Sequence, residues 1–365
     1  MNERDKITIS IVTPMSVGEG NEGVWKKGVD YVIHEGKIYH LSIERMVRLG
    51  VDLDQLTSLL AEQDEDGLIT ILGNRLEQAS DRIMTSPVEK PGDIRTMIRE
   101  SLSHRPYIPG SSLKGAIRSA LYGEWKEKED KKESDVFGSM KDGGDFMRFL
   151  QIGDAAFRDT GLVNTKIYNL IGQGDDWEGG WKHSGNYSSA DFQIDGFNTL
   201  YECLLPGATA EGSIKIDELN FSHYTLPQPK KDKKNEMMDP EYYPIDYLFD
   251  TINKHTFDYL ERERQFFLEY PQGEHSEDIV KSINALMNQT NECIQNGDSC
   301  LMKMAAGSGF HAITGDWRFP DHINTGFHPA TNRNAGKKYI KSRKIACYKK
   351  SFVLMGFVKL TKNHN

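Results

Sequence analysis

The sequence has no long apolar run. Within its 365 residues, no window approaches the roughly 18 to 20 consecutive apolar residues that a membrane-spanning helix needs. The opening MNERDK carries charge, and the apolar segment of a secretory signal does not follow it. Both absences argue against membrane insertion and secretion. We therefore expect a cytoplasmic protein without a membrane partner.

Cysteine is also scarce. The four cysteines are Cys203, Cys293, Cys300 and Cys347, and no two of them form a CxxC pair. This spacing argues against zinc ribbons and thioredoxin-like redox sites, so we interpret the thiols as ordinary buried or surface groups. The histidines show no HExxH segment or other ligand spacing. We predict neither a metal nor another cofactor.

Acidic clusters could hold Mg²⁺ in principle, because this hard cation prefers oxygen ligands. We interpret them instead as solvated loops. The clusters are Asp64-Glu65-Asp66, Asp175-Asp176, and Asp191 with Asp195.

A basic surplus is missing as well. The chain has 45 Lys and Arg against 54 Asp and Glu, which gives a net charge of -9, whereas a dedicated nucleic-acid binder more often has a basic pI. The basic residues are concentrated, however. Residues 95–123 hold five of them against one acid, and residues 337–350 hold seven against none. An acidic remainder is compatible with a subunit whose other faces meet solvent or protein neighbours.

Hydrophobic periodicity favours an α+β fold. Ile7, Ile9 and Ile11 alternate with polar residues, as in a half-buried strand. Residues 31–41 predict a hairpin that turns at Glu35-Gly36. Apolar residues at helical spacing predict helices at 113–121, 245–270 and 276–295. Strands are predicted at 149–152, 208–216 and 351–360.

Three segments add detail to this outline. The predicted helix at 276–295 places Ile279, Ile283, Leu286, Met287 and Ile294 near one face. Residues 172–196 are rich in Gly, Asp, Trp and Ser without sustained periodicity, which predicts an irregular insertion. Residues 227–244 carry KKDKK among prolines and predict a linker or an exposed loop.

Gly18, Gly20 and Gly23 form a GxGxxG pattern after the first predicted strand. A dinucleotide site would need a helix to open at the third glycine, yet the next residues predict extended structure. A kinase loop is excluded too, because Trp25 stands where its valine belongs and no HRD triplet occurs. What remains is backbone without Cβ atoms, which an extended polyanion can approach closely.

A second glycine-containing segment, GSSLKG at residues 110–115, precedes apolar residues at helical spacing. A Walker loop places Lys directly after its second glycine, so this order excludes a nucleoside triphosphate site. Serine hydroxyls, free N–H groups at a helix start and Lys114 suit a nucleic-acid phosphate. The alternative is a capped helix that binds nothing.

Residues 107–121, YIPGSSLKGAIRSAL, closely resemble the signature of the RAMP superfamily of CRISPR proteins. Other pieces arrive in the family's order: FGS at 137–139, LQIGDA at 150–155 and GSGF at 307–310. The resemblance thus extends over most of the chain.

The segments KSRKI at 341–345 and LMGFVKL at 354–360 resemble the closing segments of the fifth Csm subunit of type III-A complexes. Phe357 stands where that family usually has Trp. The segment around residue 307 is a loose version of the family's glycine-rich loop, and the acidic insertion at 172–196 is a further departure.

The resemblance implies two ferredoxin-like (RRM-like) modules with insertions and glycine-rich loops. The first would span residues 1–222, and the second, with the glycine-rich loop and the basic tail, residues 223–365. Such a subunit is non-catalytic, caps the backbone filament at the 3′ end of the crRNA, and supports crRNA maturation and antiviral defence. Its expected partners are crRNA, the backbone RAMP subunit and the small subunit of the Csm complex, target RNA through the assembled complex, and host nucleases that trim the crRNA.

The predicted RNA contacts come from the two glycine-containing segments, the later glycine-rich loop and the basic tail, where Tyr339 and Tyr348 could stack on bases. They are Ser16, Gly18, Gly20, Gly110, Ser111, Ser112, Lys114, Arg118, Gly307, Ser308, Gly309, Lys337, Lys338, Lys341, Arg343 and Lys344.

Two alternatives stay open. One is a metal-dependent RAMP endoribonuclease that cleaves target RNA, for which Asp30 is the nearest acid in an early loop. Asp30 is otherwise interpreted as a residue at the end of a hairpin. The other alternative is the equivalent RAMP subunit of a type III-B complex, which differs here only in length and in the tail signature.

Overall fold

The computed structural model describes residues 5–20, 23–125, 136–138, 145–173, 176–185, 187–217, 244–305 and 342–363. These ranges contain both helices and several β-sheets, which confirms the predicted α+β class. None of the helices in these ranges is long and apolar enough to cross a membrane.

The regular elements of the described ranges are numbered in chain order. The helices are α1 (Ile43–Arg48), α2 (Leu53–Glu62), α3 (Glu65–Leu72), α4 (Leu76–Ala79), α5 (Gly110–Trp125), α6 (Ile245–Glu269) and α7 (Ser276–Asn296). The strands are β1 (Asp5–Ile11), β2 (Val24–Trp25), β3 (Tyr31–His34), β4 (Lys37–Leu41), β5 (Ser80–Thr85), β6 (Ile94–Arg95), β7 (Tyr107–Ile108), β8 (Leu150–Ile152), β9 (Ala155–Ala156), β10 (Gly161–Gln173), β11 (Asp176–Lys182), β12 (Ser188–Ser189), β13 (Asn198–Cys203), β14 (Thr209–Ile216), β15 (Ser299–Lys303), β16 (Ser342–Tyr348), β17 (Ser351–Leu354) and β18 (Phe357–Lys362).

A five-stranded antiparallel sheet has the order β15-β18-β1-β14-β8. The predicted alternation in β1 is confirmed, because Ile7, Ile9 and Ile11 are buried while the residues between them are half-buried. Since alternate side chains of a strand point to one face, these three enter a single core. Apolar residues of α5 and α6, among them Ile117 and Leu248, belong to the same core.

A second sheet has the order β12-β11-β10-β13-β6-β2, and β16 and β17 join it through β10. The first part of β10 pairs with β13 and its middle part with β16. Aromatic residues of this sheet pack with α6 and α7 in a second core, where Tyr168 and Trp181 meet edge to face at 5.3 Å.

Two predictions at this second core need correction. Residues 172–196 are not irregular throughout, because β10 ends at Gln173 and pairs with β11 in a hairpin. Glycines interrupt the alternation of apolar and polar side chains that would have indicated this strand. A Cβ on Gly179 would lie 2.2 Å from the Tyr168 hydroxyl, so only glycine fits there. Along α7, the predicted apolar face is buried except for Ile294, which is exposed.

A smaller unit consists of β3, β4 and β5 with α1 to α4 packed against them. The predicted hairpin is confirmed, since β3 and β4 pair in antiparallel register from Tyr31↔His40 to His34↔Lys37. Glu35 and Gly36 form its turn with φ of 49° and 73°. The glycine thus adopts the left-handed conformation that this turn requires.

The predicted boundary at residues 222 and 223 falls outside the described residues. Both large sheets combine strands from before and after it: β1 pairs with β18, and β10 pairs with β16. The division into two modules stays a prediction.

Candidate nucleic-acid interface

The GSSLKG segment starts α5 at a tight joint with the LQIGDA segment. A Cβ on Gly110 would lie 2.2 Å from the carbonyl oxygen of Ile152 and 3.1 Å from the carbonyl carbon of Gly153. Atoms at such distances overlap, so only glycine fits at residue 110. The structure therefore gives Gly110, which we predicted as an RNA contact, a packing role inside the protein.

Asp154 occupies the first N–H group of α5. Its Oδ1 accepts a hydrogen bond of 2.7 Å from the backbone N–H of Gly110. A carboxylate is stabilised at this position because the helix dipole is positive there. The carboxylate of Asp154 thus accepts a hydrogen bond from an N–H group that we predicted to bind an RNA phosphate. The signature segment and LQIGDA therefore form one structural unit.

The side chains that follow this joint remain candidates for polyanion contact. Ser111 is exposed, and Ser112 and Lys114 are half-buried. Burial lowers the pKa of Lys114, and the nearby carboxylate of Asp145 opposes this shift. Arg118, one turn further along α5, has its guanidinium 3.3 Å from Asp145 and 4.3 Å from the ring centre of Phe137. Lys114 is the less constrained of the two cations.

The first glycine segment is split between interior and surface. Ser16 is fully buried, and its hydroxyl has no hydrogen-bond partner in the described part of the chain. This burial removes Ser16 from direct contact with a polynucleotide on the surface. Gly18 and Gly20 are exposed, and Gly20 adopts a φ of 84° with open space where a Cβ would stand.

A run of paired backbone links the two glycine segments. Gly18 forms an isolated bridge with Met97, and the N–H of Ile98 donates to Val17 at 2.8 Å. The N–H of Tyr107 in turn donates to Ile98 at 3.4 Å, and β7 leads directly to the start of α5. Two candidate loops that are far apart in sequence are therefore joined through one intervening segment.

The basic tail is divided as well. Arg343 is buried, with its Nε 2.7 Å from Oε2 of Glu263 and its guanidinium 4.0 Å from the ring centre of Phe266. The structure places this cation inside the protein. The Nζ of Lys344 donates to the hydroxyl of Tyr201 at 2.5 Å. The other predicted contacts of this half lie outside the described residues: Gly307, Ser308, Gly309, Lys337, Lys338 and Lys341.

Sequence reasoning missed a buried carboxylate, Glu202 in β13. Its Oε1 lies 3.2 Å from Arg82, forms a short contact with Arg99 and accepts a bond of 2.7 Å from Thr160. Its Oε2 accepts a bond of 3.0 Å from the N–H of Met97. These partners are scattered over residues 82–160, so no spacing in the sequence indicated the cluster.

Glu202 should make stability depend on pH. Burial acts to raise its pKa, but the two arginines and the hydrogen bonds outweigh this effect and hold the pKa below its usual value of 4.5. Such a group stabilises the fold above its unfolded pKa and loses this contribution as the pH falls. Between about pH 7 and about pH 4, the wild type should therefore lose more free energy of unfolding than Glu202→Gln. Urea denaturation at both pH values measures this difference, and an equal loss in the two proteins would contradict it.

The acid proposed for the endoribonuclease alternative has a local partner. Oδ2 of Asp30 accepts a hydrogen bond of 2.7 Å from the N–H of Lys26 and so closes the turn before β3. Asp64 similarly caps α3 by accepting from Gly67. Among the described residues, no group of three His, Cys, Asp or Glu side chains could hold a metal ion.

Among the solved structures that are similar to this chain, two match nearly its whole length. A chain in the cryo-EM structure of a Csm-crRNA-target RNA ternary complex of a type III-A CRISPR-Cas system has a TM-score of 0.65 and 17% identity, covering 98% of this chain and 100% of that one. The crystal structure of T. onnurineus Csm5 has a TM-score of 0.55 and 19% identity, covering 96% and 99%. At these identities the likeness concerns the fold.

The sequence itself carries the family assignment. A search of curated proteins found no match. The family model for the RAMP superfamily matches residues 8–280, which is most of the chain and includes the signature segment at the start of α5. The chain therefore belongs to the RAMP superfamily.

Proposed function

We propose that this chain is a non-catalytic, guide-RNA-binding subunit of a type III-A Csm effector complex. In this role it caps the backbone filament at the 3′ end of the crRNA and supports crRNA maturation and antiviral defence in the cytoplasm. Its partners are crRNA, the backbone and small Csm subunits, target RNA through the assembled complex, and nucleases that trim the crRNA. The fold likeness to a chain from a Csm-crRNA-target RNA complex and to Csm5 supports this proposal.

One observation carries the RNA-binding part of the proposal. The exposed glycine loop at Gly18 and Gly20 is joined by paired backbone to the start of α5, where Ser111 and Lys114 follow. Open backbone beside a hydroxyl and a cation suits a sugar-phosphate strand. We also propose that the two large sheets are the cores of two ferredoxin-like modules, with RNA lying across their loops rather than in a closed pocket.

Lys114→Ala is expected to weaken binding of single-stranded RNA, because one phosphate contact is lost. The slope of log affinity against log salt should become less negative by about 0.7. Filter binding of an end-labelled uridine oligonucleotide over a salt series measures both quantities. Lys281→Ala is the matched control, since it removes the same charge from an exposed position on α7. If both variants bind like the wild type, Lys114 is not an RNA contact.

The non-catalytic role has a separate test. The purified protein should leave labelled RNA intact with Mg²⁺ and with EDTA alike. Cleavage that needs the metal and is abolished by Asp30→Ala would establish the endoribonuclease alternative instead.

A further inference from the structure

We propose that Arg82 binds a phosphate of the RNA backbone beside the Gly18–Gly20 loop, and that buried Glu202 and Arg99 position it. This inference rests on the proposed function and adds a contact that lies outside both glycine segments and the basic tail. The ligand class is a phosphodiester of a single-stranded RNA.

Exposure of the side chains in this cluster increases from Glu202 to Arg82. The side chain of Glu202 is 0% exposed, while those of Arg99 and Arg82 are 17% and 26% exposed. The carboxylate thus lies in the interior, and Arg82 reaches the surface. Since carboxylate and guanidinium are both rigid planar groups, this pairing fixes the direction of the arginine.

Arg82 keeps donors available for a ligand. Only its Nη1 donates to Glu202, and its Nε and Nη2 have no partner within the described residues. The Trp25 ring, with its centre 4.1 Å from the guanidinium carbon, holds the group on a second side. Arg99 is more fully used, because it also donates to the carbonyl of His104 and to Thr160. Arg82 is therefore the contact residue, and Arg99 is a supporting charge.

Three arginines, Arg45, Arg82 and Arg99, act on the carboxylates of Glu202 and Asp81 at this place. Two guanidiniums share the single carboxylate of Glu202. The other nearby carboxylate, Asp81, is 2.5 Å from Nδ1 of His40, and its charge also acts on Arg82 from a more exposed position. A guanidinium that lies at the surface of such a cluster attracts an anion.

The cluster is also tied to the glycine loop. Glu202 accepts from the N–H of Met97, which is bridged to Gly18. The hydroxyl of Thr96 donates to Glu19 in the same loop at 2.9 Å. The carboxylate that orients Arg82 thus also fixes the segment on which the exposed glycines rest, so one strand of RNA can meet both.

The test uses the sign of a charge change. Arg82→Gln should weaken binding of the end-labelled uridine oligonucleotide about tenfold and make the salt slope about 0.7 less negative. Glu202→Gln removes a negative charge, so general electrostatics predicts tighter binding to a polyanion. We expect about fivefold weaker binding instead, because Arg82 loses its fixed direction.

Glu263→Gln is the matched control, since it changes a buried carboxylate that pairs with an arginine elsewhere in the fold. Glu263→Gln should keep the wild-type affinity for RNA when all variants are measured below the temperatures at which they unfold. If Glu202→Gln binds as tightly as the wild type or more tightly, or if Arg82→Gln behaves like Lys281→Ala, this site is wrong while the proposed function stands. If the wild type does not bind RNA, both are overturned.

Discussion

Gly110→Ala is expected to lower the free energy of unfolding by about 3 kcal/mol, as overpacking at a rigid contact does. The added Cβ would lie 2.2 Å from the carbonyl oxygen of Ile152, and backbone cannot rotate away as a flexible side chain can. Relief would require α5 to move off β8 and to weaken the bond from Gly110 to Asp154. Urea denaturation followed by circular dichroism measures the change.

Gly92→Ala is the control for this prediction. Gly92 is exposed, and no atom lies within 4 Å of the position where its Cβ would stand. The same chemical change there should alter the free energy of unfolding by no more than about 0.5 kcal/mol. Equal effects of the two substitutions would show that α5 and β8 can move apart without loss of stability, and would contradict the prediction.

Arg343→Ala is expected to cost about 3–5 kcal/mol of folding free energy, because it removes the guanidinium that lies 2.7 Å from the buried Glu263 carboxylate. Burial of both partners makes this pair unlike an exposed ion pair, whose loss costs little. The substitution should lower the urea midpoint strongly, and any loss of RNA binding should follow the loss of folded protein.

A double variant separates the missing charge from the missing contact. Combining Glu263→Leu with Arg343→Met replaces the pair by apolar side chains of similar size and should recover most of the stability. The free energy of unfolding of the single and double variants forms a thermodynamic cycle. If Arg343→Ala is as stable as the wild type and weakens RNA binding in the folded state, Arg343 is a contact after all.

Local patterns predicted the elements that depend on local chemistry. The alternation of Ile7, Ile9 and Ile11 identified β1, and Glu35-Gly36 identified a hairpin turn, because periodicity and turn geometry are properties of neighbouring residues. The apolar spacing after Gly110 likewise predicted α5. The signature segment led to the right superfamily.

The surroundings of several other residues depend on partners that are distant in sequence. Arg343 looked like one more cation in a basic tail, and only the pairing of β16 with β10, with α6 packed on that sheet, brings it to Glu263. Glu202 was not singled out in the sequence, although it joins two arginines from other segments. Gly110 was predicted as an RNA contact, and its close contact with Ile152 exists only after folding. Such roles follow from tertiary packing, which one sequence does not display.

The position of β1 in the five-stranded sheet bears on how the protein is made. Ile7 of β1 lies opposite Lys362 of β18, so a central strand of this sheet lacks one neighbour until the ribosome has synthesised β18. Pairings between such distant segments form slowly, and an unpaired strand edge can associate with other chains in the meantime. A nascent chain that stalls before β18 should therefore depend on chaperones.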